Sequence, residues 1–351
     1  MTTLIDLQKQ AGAVFRDGDK TPSTFNQDSQ LINGKEEQVI LCDRSDWGLL
    51  KLTGDDRARF LHNQTTNDIQ TLGVGAGCET VFVNSTGRTI DLVTAYNQES
   101  AILLLVSPQQ NETLYQWMDR YIFPFDKVQL ADLTPEYSIF TVIGQSSGEL
   151  LASLLPSELL NGNEYSHQTV TIADVEVMVT VDCGLTNTGY NFIVPTEKAG
   201  IIWETLTGAL TPVLIGEEGW QRLRIQEGRP QPATELTTDY NPLEAGLWRA
   251  ISFDKGCYIG QETIARLNTY KGVKQRLWGI KLSDRVSPQT PITVDDKKIG
   301  ILTSYIDTAE GGFGLAYIKT KAGGVGLNVR VGAAEGILTD VPFLKHEYPT
   351  S

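Results

Sequence analysis

One short run, Lys255-Gly256-Cys257-Tyr258-Ile259-Gly260-Gln261-Glu262, concentrates the residue types of this chain that are suited to chemistry. Cys257 stands beside Lys255 and a few residues ahead of a helix expected over 261–267, so an ammonium and the partial positive charge of a helix end both favour a thiolate there. Such a sulphur is nucleophilic near neutral pH. Gly256 and Gly260 bracket it, permit backbone torsions that other residues avoid, and let a ligand come close to the main chain. By residue type alone, the commoner role of such a cysteine is that of a small buried hydrophobe. Gln261 opens the following helix, on which Glu262 and Arg266 are spaced at i and i+4 to pair and so support the display of the thiol.

The pattern around this run defines the frame that must hold it. From Val39 to Leu133, strand-like stretches (48–53, 80–84, 89–96, 101–107) alternate with helical ones (55–64, 108–121). A second cycle follows, with strands at 137–143, 170–181 and 190–194 and helices at 148–155 and 199–206. A helix over 216–227 leads into a turn-rich passage, 228–248, in which Pro230, Pro232, Pro242 and Gly246 prevent long regular structure. Beyond Lys274 the texture changes to short β runs at 276–282, 298–304, 313–318, 328–331 and 335–339, as in a small antiparallel barrel. The polar stretch 17–34 has the composition of a loop or loosely packed arm. The predicted organisation is therefore an N-terminal arm over 1–37, an α+β domain over 38–275 made of two similar subdomains (38–133 and 134–275), and a C-terminal barrel over 276–351.

Composition excludes several classes. The chain has 351 residues, 40% hydrophobic and 21% charged, which is ordinary for water-soluble domains and long enough for more than one core. The longest apolar run, Ala101–Val106, is too short to cross a bilayer, and the start lacks an apolar stretch behind a basic head, so a cytoplasmic protein without membrane partners is expected. A net charge of −14 with no compensating basic block argues against nucleic-acid partners. The cysteines Cys42, Cys78, Cys183 and Cys257 and the histidines His62, His167 and His346 are scattered without metal-ligand spacing, so no metal stably bound by this chain alone is expected. Neither a Walker phosphate loop nor a GxGxxG fingerprint occurs, which disfavours nucleotide hydrolysis and Rossmann cofactors.

The stretch KGCYIGQETIAR, followed by Tyr270 and Gly272, resembles the signature of the YgfZ family, folate-binding proteins of iron–sulphur cluster assembly and repair in bacteria, plastids and mitochondria. Other segments are similar too: Gly54-Asp55-Asp56-Arg57 with the run from Phe60 to Asp68, then Asn84 with Gly87, Arg88 and Asp91, then Leu223-Arg224-Ile225 with Gly228 and Pro230, and Pro242-Leu243-Glu244. The resemblance spans roughly 38–345. It implies the T-protein (aminomethyltransferase-like) fold, in which two α+β subdomains and a small barrel enclose a folate cavity.

With the fold come implied roles. Tetrahydrofolate or a derivative would be the cofactor, with Asp91 placed to bond the pteridine or a folate nitrogen, Arg224 to stack on or bond the ring or the glutamate tail, and Trp248 and Tyr258 to offer flat surfaces. Each residue has a plainer role in packing or on a solvated face, and for Asn84 packing is the default with the pocket as the minority view. The aminomethyltransferases of the superfamily carry two adjacent acids where this chain has Asp91-Leu92, an acidic loop where it has residues 184–189 without an acid, and no cysteine at position 257. The resemblance therefore implies an accessory protein for iron–sulphur cluster assembly or repair, with Cys257 and Lys255 as its reactive pair and iron–sulphur proteins or cluster carriers as partners. The alternatives are a tetrahydrofolate-dependent aminomethyl or one-carbon transferase, which leaves enzymatic turnover an open question, and a folate sensor or carrier without chemistry.

Overall fold

The computed structural model describes residues 3–26 and 38–348. The chain divides into two compact units: Met1–Phe60, Ile69–Cys78 and Thr94–Gln221 make the first, and Leu61–Asp68, Glu79–Val93 and Arg222–Ser351 the second. The sequence organisation is α+β as expected, but its division is not sequential, because pieces of the first hundred residues belong to each unit.

In the first unit a six-stranded sheet runs in the order His167–Ile172, Val175–Thr180, Gly189–Pro195, Tyr137–Ile143, Ile40–Asp43, Val213–Ile215. Only the last pair is parallel. The helix Ala199–Leu210 buries Ile202, Trp203, Leu206 and Leu210, the spacing of one helical face, and Trp203 packs between Phe25 and Phe140. The stretch expected as one strand over 170–181 is two, joined by a tight turn in which Ala173 and Asp174 have φ of 49° and 60°. Positive φ at both central residues is what a twisted hairpin needs, yet no Gly or Asn marks it here. The N-terminal segment, expected as a loose arm, forms the helix Leu4–Gln10, closed by a reciprocal cap between Thr3 and Asp6, and Leu4 and Leu7 pack against the same core. Part of the loop expected over 17–34, and the end of the arm, lie outside the described residues.

A five-stranded sheet takes the order Gly77–Val83, Thr89–Asn97, Ala101–Val106, Gly48–Thr53, Gln129–Asp132. Its hairpin 79–93 is counted with the second unit. That unit ends in a closed six-stranded antiparallel barrel, in the order Gln275–Leu282, Gly311–Lys319, Lys297–Thr308, Pro291–Val294, Asn328–Val331, Ala334–Thr339, with the last strand pairing back on the first. Alternate residues such as Trp278, Ile280 and Leu282 fill its interior, and closure leaves no unpaired sheet edge. The barrel strand that the sequence does not announce, Pro291–Val294, is short and begins with a proline, which cannot donate to a ladder.

Candidate functional site

The Lys255–Glu262 run belongs to the second unit, where it packs beside the end of the helix Arg57–Gln64 and the turn of the 79–93 hairpin. Lys255 is buried. Its Nζ donates to the carbonyls of Thr65 and Asn67, each at 2.7 Å, and to that of His62, while the ring of Tyr258 lies 4.9 Å from the ammonium. An ammonium has three protons, and all three are engaged by the carbonyls that close the helix and the bend after it. Lys255 therefore anchors the run to the helix end.

Gly260 fixes the other side. Its φ is +81°, and a Cβ there would stand 2.6 Å from the Asn84 carbonyl oxygen and 3.0 Å from the Gly87 α carbon. Only glycine fits both the left-handed conformation and the close approach. Gly256 differs from what its pairing with Gly260 suggested: its φ is not in the left-handed range, and an added Cβ would meet only His62 Nε2, at 3.6 Å. Gly260→Ala is expected to lower stability by about 2–4 kcal/mol, from left-handed strain plus the overlap with Asn84, measurable by denaturant unfolding; a loss under about 0.5 kcal/mol would show that the turn yields.

Between these anchors Cys257 is exposed, whereas Cys42 and Cys183 are buried and Cys78 is intermediate. Helix Gln261–Thr269 starts four residues later with Gly260 as its N-cap. Gln261 Nε2 reaches back to the Gly256 carbonyl at 3.5 Å, a marginal distance. Glu262 and Arg266 both lie exposed, and no ion pair joins them among the described residues, so the helix relies on its buried Ile264 instead.

The residues implied for folate separate into two groups. Asp91 has no exposure, on strand Thr89–Asn97; Trp248 and Tyr258 are buried in the same apolar cluster, and burial pushes the Tyr258 phenol well up. Trp248 Nε1 is a buried donor without a hydrogen-bond partner among the described residues. Arg224 and Asn84 form the other pair, in which the guanidinium and the Asn84 Oδ1 hold hydrogen bonds within the second unit. Arg224 donates to Glu235 at 3.2 Å, to the Arg229 carbonyl at 3.3 Å and to Ser304 at 3.1 Å. Asn84 Oδ1 accepts from the Thr86 and Arg88 amides and the Thr86 hydroxyl, which builds the hairpin turn.

Sequence reasoning did not single out Glu79, Glu235, His62 or Asp68. Glu235 is fully buried and pairs with Arg224; Glu79, 2% exposed, pairs with Arg229 and Arg249, each at 2.8 Å. No local spacing links these partners, since Glu79 and Arg229 are 150 positions apart. Among the described residues no group of three or more His, Cys, Asp or Glu is arranged to hold a metal ion.

The sequence matches the family described as GCVT N-terminal domain over residues 4–255, and the chain belongs to that family. It is 40% identical, over 97% of its own length and 79% of the relative's, to an Arabidopsis thaliana protein that bears the name putative transferase, chloroplastic. To an aminomethyltransferase of Caldanaerobacter subterraneus it is 29% identical over 75% of this chain and 72% of that protein. In fold it is similar to the crystal structure of glycine cleavage system aminomethyltransferase T from Bartonella henselae, with a TM-score of 0.84 over 99% of each chain at 19% identity. The chain thus has the aminomethyltransferase-like fold, α+β with a small C-terminal antiparallel barrel. The compartment in the Arabidopsis name does not fit a plain cytoplasmic expectation; among the described residues, no helix is long and apolar enough to cross a membrane.

Proposed function

We propose that this chain binds tetrahydrofolate or a derivative and works as a folate-dependent protein of transferase type. The observation that carries the reading is Asp91, a carboxylate with no exposure in a family whose members include proteins named aminomethyltransferase. A carboxylate offers two acceptor oxygens, and the adjacent N–H groups of a pterin match that geometry. Trp248 fits the same ligand, because its unpartnered Nε1–H can donate to a ring acceptor. Arg224 fits it less well, since its guanidinium already bonds Glu235, Ser304 and the Arg229 carbonyl; Asn84 uses its Oδ1 in the hairpin turn. Bound tetrahydrofolate supplies a secondary amine able to carry a one-carbon unit; the share of the chain is to orient that amine against Asp91 and keep water away.

A second reading is favoured by one feature, the exposed Cys257 in a chain whose Cys42 and Cys183 are sealed. In it the protein is an accessory of iron–sulphur cluster assembly or repair, of the YgfZ kind, that binds folate while Cys257 contacts an iron–sulphur protein or cluster carrier. Leu92 beside Asp91, and the absence of an acid in residues 184–189, fit this reading better than glycine cleavage. In both readings Lys255 positions the run and does not react.

Calorimetric titration with tetrahydrofolate and a one-carbon capture assay test the first reading; a flat titration removes both. Cys257→Ala divides them. The transferase reading expects one-carbon turnover retained and cells lacking the native gene fully rescued. The accessory reading expects unchanged folate affinity and at least tenfold less recovery of iron–sulphur enzyme activity in those cells, and full rescue would end it.

A further inference from the structure

His62 lies in the last turn of the helix Arg57–Gln64 and is 4% exposed. Its Nδ1 stands 3.1 Å from a carboxylate oxygen of Asp68, within ion-pair reach though not aligned as a hydrogen bond. On the opposite side of the ring, Nε2 faces Gly256, at 3.6 Å from where a Cβ would be. The next α carbon along the chain, about 3.8 Å further on, carries the exposed thiol of Cys257. Among the described residues none hydrogen-bonds Nε2.

Gly256 has no backbone reason to be glycine, since its φ is ordinary and a Cβ would find room. What the missing side chain does is leave Nε2 uncovered. We propose that His62 Nε2 is the proton acceptor for the Cys257 thiol, with Asp68 as the positioning residue whose carboxylate stands beside Nδ1 and Gly256 bare to keep the approach open. The inference rests on the reading of Cys257 as a working group. As sulphur attacks an electrophile, the S–H bond breaks, its electron pair forms the new bond to sulphur, the leaving group departs with its own pair, and the proton passes to Nε2. The imidazolium so formed faces the Asp68 carboxylate.

Two charged groups bear on the ring. Burial, and then the Lys255 ammonium held on the carbonyl of His62 itself, keep the imidazole below its ordinary range; Asp68 pulls the other way. Near pH 7 the ring is therefore neutral and able to accept.

The test is the rate at which iodoacetamide alkylates Cys257 in the full chain, a step that forms an S–C bond and releases iodide, read by peptide mass mapping with buried Cys42 and Cys183 as references. The expected result is that His62→Gln slows the reaction at least tenfold near pH 7 and removes the part of the pH profile that belongs to the imidazole. Asp68→Asn slows it by a smaller factor. Gly256→Val, which leaves His62 and Asp68 in place but covers Nε2, slows it as His62→Gln does and decides the matter if the histidine variant fails to fold. Wild-type rate and pH profile in a folded His62→Gln, or in Gly256→Val, would overturn the proposal. Full cellular rescue by Cys257→Ala would end the accessory reading and leave this rate effect standing, so the two failures are distinguishable.

Discussion

Lys255→Met is expected to lower the melting temperature by roughly 6–12 °C, the equivalent of about 3 kcal/mol in a unit of this size. The loss follows from what the ammonium does. It donates to three backbone carbonyls, those of His62, Thr65 and Asn67. His62 contributes one of the orphan carbonyls that end the helix Arg57–Gln64, at the negative end of its dipole. Hydrogen bonds from a charged donor contribute about 1.5–3 kcal/mol each, and the desolvation of the buried ammonium, several kcal/mol, offsets part of the sum. Methionine keeps the packing against Tyr258 but leaves the three oxygens unmet. Lys255→Arg is expected to fail as well, because a flat guanidinium cannot point its protons at three converging oxygens as a tetrahedral ammonium does. If the lysine served only to supply charge to Cys257, arginine would preserve function and methionine would leave the melting temperature unchanged. Thermal unfolding of the two variants separates these cases.

This role was not visible in the sequence. Adjacency made Lys255 look like the activator of Cys257, whereas its partners lie as many as 193 positions earlier in the chain. The same limit hid Glu235 under Arg224 and Glu79 under Arg229 and Arg249, since a buried ion pair has no local period to betray it. What was legible is what depends on neighbours. The alternating barrel strands, the amphipathic helix Ala199–Leu210 and the breaking effect of Pro230, Pro232 and Pro242 all follow from local chemistry, and the structure has them. The hairpin at Ala173-Asp174 was missed because its turn uses residues without the usual signal. The parallel pair Ile40–Asp43 and Val213–Ile215 is too short and too distant for any window to find.

The same distinction bears on how folate would be held. Among the residues implied for it, Arg224 has its guanidinium in hydrogen bonds to Glu235 and Ser304, and Asn84, for which packing was the default, uses its Oδ1 in the hairpin turn. If folate binds as proposed, Asp91 would offer it a carboxylate and Trp248 a donor, both from the second unit. A ligand recognised by them would be selected through its ring edge and less through a charged tail.

Glu235→Gln is expected to cost about 3–5 kcal/mol, because it leaves the Arg224 guanidinium charged, buried and without its anion. Glu235 has no exposure and accepts from the Ser304 and Thr234 hydroxyls, each at 2.6 Å, as well as from Arg224 at 3.2 Å. Its carbonyl takes the Tyr317 hydroxyl at 2.9 Å, so one residue ties the turn-rich loop to helix Glu217–Glu227 and to two barrel strands. The paired replacement Arg224→Met with Glu235→Leu removes both charges together and should recover most of the stability lost in either single variant. Denaturant unfolding of the four proteins gives the coupling directly. The double variant then decides the role of Arg224, because in a stable protein without the guanidinium folate binding persists if the arginine only supports the fold. Loss of the tetrahydrofolate titration from a well-folded double variant would return Arg224 to the binding site and require its pairing with Glu235 to open when the ligand enters.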